Sequence, residues 1–96
     1  MTSSPQTRRD PVVTKFRDEI SDLDRSLVAL VNKRLRTVAA LRRYKQANGI
    51  PFVDPAREEW MRRYLLRANS GPLSDEGLAG LYAHILELTK SETSDG

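Results

Sequence analysis

The sequence contains no cysteine and only one histidine, His84. A chain without cysteine has no disulfide, no thiol nucleophile and no thiolate metal site. Ser/His/Asp catalysis and a His-rich metal site would both depend on His84, which lies in no catalytic motif and which we interpret as a packing or surface residue. No glycine-rich phosphate-binding motif is present either. The sequence therefore excludes disulfides, thiol chemistry and thiolate or His-rich metal sites.

Long apolar runs and strand-like alternation are also missing. No run approaches the ~20 apolar residues of a membrane span, and the polar start, Met1–Pro11, lacks the apolar core of a signal peptide. We therefore expect a cytoplasmic protein with no membrane partner. The composition, 39% hydrophobic and 30% charged, is typical of a folded domain. The net charge of +3 is mild, so it permits nucleic-acid binding without requiring it.

Helix start and stop signals divide the 96 residues into three segments. Asp10-Pro11 and Asp54-Pro55 each combine an N-cap carboxylate with a first-turn proline, and Ser74 is a third N-cap. Gly49 is typical of the residue that follows a helix C-terminus. The predicted elements are a long helix from Val12 to about Asn48, a short helix from Pro55 to about Ala68, and a medium helix that opens at Ser74 and fades after Lys90. The predicted fold is therefore all-α.

We expect a disordered arm at residues 1–10, a helical domain at 11–92 and a polar tail at 93–96.

The length of the first helix predicts a dimer. Some 35 helical residues at 1.5 Å each extend about 50 Å, about twice the diameter of a compact domain whose radius of gyration is about 13 Å. Such a helix cannot bury its apolar stripe against its own chain alone. An entwined homodimer would cover it.

A cation interrupts the apolar face of the first helix. Apolar residues recur there at the 3-4 spacing of a packed helix, at Ile20, Leu23, Leu27, Leu30 and Leu41. The position that follows Leu30 is Arg34, and a buried cation is costly unless an anion neutralises it. Lys45 lies eleven residues further on and points the same way. The pair indicates a pocket for an anionic small molecule, although two snorkelling side chains are the alternative interpretation.

Other polar residues are candidates for the same pocket. Arg17 lies about 100° around the helix from Arg34, so it either reaches the pocket of a dimer partner or is a solvated arginine. Asp54 and Glu58 are explained by N-capping and by the helix dipole. Arg57 opposes that dipole, which an anionic ligand would offset.

We interpret two groups of arginines as solvated basic faces: Arg36, Arg42 and Arg43 on the first helix, and Arg62, Arg63 and Arg67 on the second. The alternative function is a small basic helical nucleic-acid-binding protein that uses all of these residues except Arg67 as phosphate contacts. The inward phase of Arg34 and Lys45 argues against this hypothesis, as do the carboxylates of Asp54 and Glu58. An anionic small molecule is the partner that we predict instead.

Two segments of the chain resemble the all-α chorismate mutases of the AroQ class. FRDEISDLDRSLVALVNKR is similar to the family's opening helix, and YKQANGIPFVDPARE to its lysine, loop and second-helix start. The resemblance covers about Phe16–Thr93. It implies an entwined homodimer of three-helix chains with two equivalent sites. It also implies the 3,3-rearrangement of chorismate to prephenate, on the shikimate route to phenylalanine and tyrosine, without a cofactor.

The resemblance also implies a role for each candidate residue. Arg34 would bind a substrate carboxylate, and Arg17 would cross from the partner chain to help. Lys45 would donate to the ether oxygen of the breaking bond and to a carboxylate. Glu58 would accept from the ring hydroxyl, assisted by the backbone near Asp54. Two more residues complete the set, since Arg57 would add positive charge and Leu41 an apolar side of the pocket.

The third helix departs from the family pattern, in which a serine is followed four residues later by glutamine or glutamate. Thr89 and Thr93 occupy these positions. Thr89 keeps a hydroxyl, which either turns inward or packs as part of a small side chain. Glu92 would replace Thr93 if the register slipped by one, and it would then have to donate as a protonated carboxyl group.

Three alternatives share this fold and remain open at the sequence level. Isochorismate pyruvate-lyase and 4-amino-4-deoxychorismate mutase would use the same kind of pocket. Glu58 would contact the group at ring carbon 4, and a carboxylate accepts from either hydroxyl or ammonium. The third alternative is a weakly active regulatory partner of an upstream shikimate-pathway enzyme.

Overall fold

The chain folds into three α-helices in a computed structural model that describes residues 10–93. The helices are α1, Pro11–Ala47; α2, Pro55–Ala68; and α3, Asp75–Thr93. No strand occurs in the described range, so the predicted all-α, long–short–medium order is confirmed. The predicted arm at residues 1–10 and tail at 93–96 lie almost wholly outside the described residues. The chain divides into two compact units, Met1–Arg34 and Leu35–Gly96, whose boundary falls within α1.

Each helix begins at the N-cap that the sequence predicts. The Asp10 carboxylate accepts a hydrogen bond from the amide two residues on, at 3.0 Å. The Asp54 carboxylate accepts from the amide three residues on, at 3.1 Å, and the Ser74 hydroxyl does the same at 2.9 Å. Since the first amides of a helix have no partner within it, these side chains define where each helix starts.

The end of α1 has a defined geometry that also fixes the backbone of Lys45. Gly49 has a φ of 66°, in the left-handed region that favours glycine. The turn allows the Ile50 amide to donate to the Lys45 carbonyl at 2.8 Å, while the Asn48 amide donates to the Tyr44 carbonyl at 3.1 Å. This pattern is that of a glycine-terminated helix. The last turn of α1, which carries Lys45, is therefore tied to the loop that follows.

The first unit is the part of α1 that ends at Arg34. Most of its large apolar side chains are exposed in the single chain, with Leu23 at 63%, Leu27 at 60% and Leu30 at 62%. A contiguous apolar stripe of this kind is typical of a surface that binds another protein. The stripe that predicted a dimer is thus present and exposed.

In the second unit, α2 packs against α3. Most of the buried and half-buried side chains of α3 recur at helical spacing, at Leu78, Tyr82, Ile85, Leu86, Thr89 and Thr93. Leu81 also fits the 3-4 spacing of a packed helix face beside Leu78 and Ile85, yet it is 51% exposed. The helix continues to Thr93 instead of fading after Lys90, because Thr93 still lies on the buried face. Within the described residues no helix is long and apolar enough to span a membrane.

Removing the cap of α3 is expected to destabilise the fold. Ser74→Ala deletes the hydroxyl that accepts from the Gly77 amide at 2.9 Å, and such N-cap losses cost about 1 kcal/mol. For a domain of this size that corresponds to a drop in Tm of about 4–8 °C. Thermal unfolding followed by circular dichroism measures it. The matched control is Ser70→Ala, which alters an exposed loop serine; an equal drop in both variants would contradict the capping role.

Candidate active site

The first unit carries two of the predicted site residues, Arg17 and Arg34, both on α1. Arg34 is half-buried, whereas the Arg17 side chain is exposed. Arg34 therefore lies on the apolar face of α1 and is partly buried, as the 3-4 spacing of that face predicts. The exposure of Arg17 is compatible with either interpretation given above, namely a solvated arginine or a side chain that reaches a second chain.

Lys45 is the half-buried cation at the end of α1, in the second unit. Its ammonium lies 5.9 Å from the ring centroid of Phe52, which belongs to the loop before α2. The guanidinium of Arg42 lies over the same ring at 4.5 Å. Leu41, one turn before Lys45, is exposed in the single chain. The Phe52 ring thus contacts both basic side chains through its electron-rich face.

Hydrogen bonds at the first turn of α2 connect three of the predicted residues, Asp54, Arg57 and Glu58. The Arg57 amide donates to the Asp54 carboxylate at 3.1 Å, and the Glu58 amide donates to the Asp54 carbonyl at 3.2 Å. The Arg57 guanidinium lies 5.0 Å from the centre of the Trp60 ring. Asp54 therefore orders the turn on which both Arg57 and Glu58 stand.

Glu58 and its neighbour Glu59 have different surroundings. Glu59 forms ion pairs with Arg62 at 2.6 Å and with Arg63 at 3.6 Å, and the Arg62 hydrogen bond lowers the pKa of the Glu59 carboxyl. Glu58 is half-buried and forms no ion pair within residues 10–93. It borders a groove of about 210 Å³ between α2 and α3, which is lined by Pro55, Glu58, Glu59, Arg62, Ala79, Tyr82, Ala83 and Leu86.

The two threonines on α3 are buried and hydrogen-bonded to their own helix. The Thr89 hydroxyl donates to the Ile85 carbonyl at 2.7 Å, and the Thr93 hydroxyl donates to the Thr89 carbonyl at 2.6 Å. Thr93 lies on the buried face, whereas Glu92 is exposed. In this structure both hydroxyl groups therefore donate to carbonyls of their own helix, an arrangement common for threonine within helices.

Lys45 and Arg57 share a property that bears on ligand binding. Neither side chain forms an ion pair with a carboxylate in the described part of the chain. Each lies next to an aromatic ring instead, which orients a cation without neutralising its charge. The second unit therefore presents two positive groups suited to an anionic ligand. Residues 10–93 contain no group of three or more acidic or histidine side chains that could hold a metal ion.

Phe52 and Trp60 were not predicted as site residues. Their signal in the sequence is weak, since aromatic and basic residues often lie near each other in a sequence without touching. Phe52 follows Lys45 by seven residues and Trp60 follows Arg57 by three. The second spacing places the two side chains one turn apart on a helix, where they can touch. The contact between Lys45 and Phe52 depends instead on the path of a loop, which residue spacing does not determine.

Comparison with known proteins identifies the family. Residues 16–93 match the family described as chorismate mutase type II, and the chain belongs to that family. Two curated relatives are bifunctional chorismate mutase/prephenate dehydratases, from Stutzerimonas stutzeri and from Pseudomonas aeruginosa. Each is 31% identical over 76 residues, which is 74% of this chain but only 21% of the relative. The chain thus spans about a fifth of their length.

Two solved structures of a chorismate mutase from Thermus thermophilus are similar over most of their length. Form I is 32% identical with a TM-score of 0.76, and the match covers 80% of this chain and 96% of the Thermus chain. Form II is 30% identical with a TM-score of 0.80, and the match covers 86% of this chain and 94% of the Thermus chain. The three-helix fold of this chain is therefore that of solved chorismate mutases.

Proposed function

We propose that this protein is a chorismate mutase that converts chorismate to prephenate by binding and orienting the substrate electrostatically. The observation that carries the proposal is the pair of cations, Lys45 and Arg57, that have no carboxylate partner in residues 10–93. Family membership over residues 16–93 supports the same reaction. A unimolecular rearrangement requires neither a nucleophile nor a cofactor, which suits a chain with one histidine and no cysteine.

The first task of such a site is to hold a flexible dicarboxylate in a compact, reactive shape. Fixing that geometry in advance removes much of the entropic barrier. Arginine suits this task because its planar guanidinium grips a carboxylate through two parallel hydrogen bonds. We assign this role to Arg34, and to Arg17 supplied by the partner chain. Arg57 adds positive charge, and Leu41 contributes an apolar side of the pocket.

The second task is to stabilise the transition state, in which the breaking bond leaves partial negative charge on the ether oxygen. We assign this task to Lys45. A cation already in place at that oxygen interacts more strongly with the transition state than with the substrate, and that difference accelerates the reaction. The half-burial of Lys45 and the loop bond to its carbonyl at 2.8 Å support a fixed position.

The remaining contacts would orient the ring of the substrate. Glu58 is assigned as the acceptor for the ring hydroxyl, with the backbone near Asp54 assisting. Thr89 and Thr93 are assigned to the ether-oxygen side. To donate there, either hydroxyl would have to turn from the helix carbonyl that it now contacts. We therefore assign most of the stabilisation of the ether oxygen to Lys45.

The active assembly is proposed to be an entwined homodimer in the cytoplasm. The exposed apolar stripe of the first unit supports the dimer, because Leu23, Leu27 and Leu30 are each at least 60% exposed in the single chain. A second copy would cover this stripe and bring its own Arg17 to the site. Each chain would then contribute to two equivalent sites.

Introducing a charge into the stripe is expected to disrupt this dimer. Leu27→Glu would place a carboxylate in the buried interface, where an unpaired charge is strongly unfavourable. Sedimentation velocity should show loss of the dimer, or loss of folded protein, together with loss of chorismate turnover. The control is Asn32→Glu, which adds the same charge at an exposed polar position of α1 outside the stripe. A Leu27→Glu protein that remains dimeric and active would contradict the proposed interface.

The reaction is tested against its same-fold alternatives by a substrate panel. Purified protein is incubated separately with chorismate, isochorismate and 4-amino-4-deoxychorismate, and the products are identified by NMR. Turnover of chorismate alone supports the proposal, whereas preference for either of the others reassigns the activity. Glu58→Gln is informative with each active substrate because it removes the acceptor charge, and Glu87→Gln on the exposed face of α3 is the matched control.

Low activity of the isolated protein would direct attention to a protein partner. An upstream shikimate-pathway enzyme is the partner class we propose in that case. A sharp rate increase on mixing the two proteins would support such a complex, and an unchanged rate would count against it.

A further inference from the structure

We propose that Trp60 is a positioning residue that holds the Arg57 guanidinium ready for the substrate. The inference deepens the proposed function and rests on it, since Arg57 is assigned there to the binding of an anion. Trp60 itself is not proposed to touch the reacting atoms.

Three side chains of α2 form a continuous stack. The Arg57 guanidinium lies 5.0 Å from the centre of the Trp60 ring. The Trp60 ring in turn stacks on Tyr64, with centroids 5.3 Å apart and planes inclined by 7°. The spacing of three and then four residues places all three side chains on one face of the helix. Tyr64 therefore supports one face of Trp60, and Trp60 supports the guanidinium.

The stack holds Arg57 differently from Arg62 and Arg63 of the same helix. Arg62 and Arg63 are held by the Glu59 carboxylate, which neutralises part of their charge. The ring of Trp60 attracts a cation through its quadrupole and carries no net charge. Arg57 is thus oriented while its positive charge stays available to a ligand. This difference is the reason to assign Trp60 a role in binding beyond helix stability.

The position of Arg57 makes such support useful. Arg57 stands in the first turn of α2, where the positive end of the helix dipole disfavours a cation. Its side chain is exposed, and ordering a long flexible side chain on binding costs free energy. An aromatic ring that orders the side chain beforehand lowers that cost. The effect should therefore appear in the KM for the substrate and not in kcat.

The first test is a double-mutant cycle on the full chain. Trp60→Ala is expected to raise the KM for chorismate about 2- to 5-fold, as befits a cation–π contact at an exposed position, with kcat changed less than about 2-fold. Trp60→Phe keeps an aromatic ring and should therefore raise the KM much less than Trp60→Ala does. In an Arg57→Ala background, Trp60→Ala should have no further effect on KM. An equal effect in both backgrounds, or none in the unaltered chain, would overturn the proposal.

The second test does not depend on catalysis. Trp60 is the only tryptophan of the chain, so intrinsic tryptophan fluorescence reports on it alone. Arg57→Ala should change the emission of the folded protein, and Arg43→Ala, at an exposed position of α1, should not. If the unaltered protein fails to turn over chorismate, the proposed function fails while this test still decides whether Arg57 rests on Trp60. Unchanged emission in Arg57→Ala would overturn the positioning role.

Discussion

Lys45→Ala is expected to lower kcat about 100- to 1000-fold while the protein remains folded. This magnitude follows from the loss of one preorganised donor to a developing negative charge, for which reductions of about that size are typical. The KM should change much less, because the charge on the ether oxygen exists mainly in the transition state. Steady-state kinetics with chorismate measures both constants.

The matched control for this variant is Lys90→Ala, which removes an exposed lysine from the last turn of α3. It should leave kcat and KM unchanged. Lys45→Arg is a second informative variant, since it keeps the charge but changes the shape of the donor. We expect it to recover only part of kcat. A Lys45→Ala enzyme with normal kcat would remove Lys45 from the catalytic assignment.

The second large effect is expected for Arg34→Ala, which should reduce kcat/KM about 100-fold. A hydrogen bond to a charged group contributes about 1.5–3 kcal/mol, and a guanidinium can make two such bonds to one carboxylate. The loss should therefore affect substrate and transition state together, which raises KM and also lowers kcat through poorer orientation.

Two comparisons make the Arg34 result interpretable. Arg36→Ala removes an exposed arginine from the same helix and should behave as the unaltered protein does. Arg34→Lys keeps the charge but loses the paired donors, so its kcat/KM should fall between that of Arg34→Ala and that of the unaltered protein. Circular dichroism confirms that each variant is folded. If Arg34→Ala bound and converted chorismate normally, Arg34 would have a structural role only.

Most of the fold could be predicted because its signals are local. Asp10, Asp54 and Ser74 cap the helices through hydrogen bonds within three residues, and Gly49 ends α1 by adopting a positive φ. Such interactions depend on neighbours in the sequence, so they can be recognised without knowing the tertiary structure. The start of every helix was predicted correctly for this reason.

The end of α3 was harder to predict because tertiary contacts decide it. The polar residues after Lys90 suggested a fraying end, yet Thr93 is buried and the helix continues to it. Leu81 shows the opposite case, since its spacing fits the packed face of α3 but its side chain is exposed in the single chain. Periodicity identifies a face of a helix, but the packed neighbour determines how much of that face is covered.

The candidate site was predictable in its charges and less so in its aromatic contacts. Arg34 and Lys45 were found by their phase on one helix, and Arg57 by its conflict with a helix dipole. The contact of Phe52 with Lys45 depends on the loop between α1 and α2. The stack on Trp60 depends on side-chain conformations that helical spacing permits without requiring.

Identification of the product formed from chorismate alone decides whether this protein catalyses the proposed rearrangement. Purified protein is mixed with chorismate, substrate loss is followed with time, and the product is identified by NMR, beside Lys45→Ala and a protein-free control. We expect prephenate as the sole enzymatic product, formed well above the uncatalysed rate, and we expect Lys45→Ala to slow its formation at least about 100-fold. Chorismate that disappears no faster than in the protein-free control would contradict the proposed function.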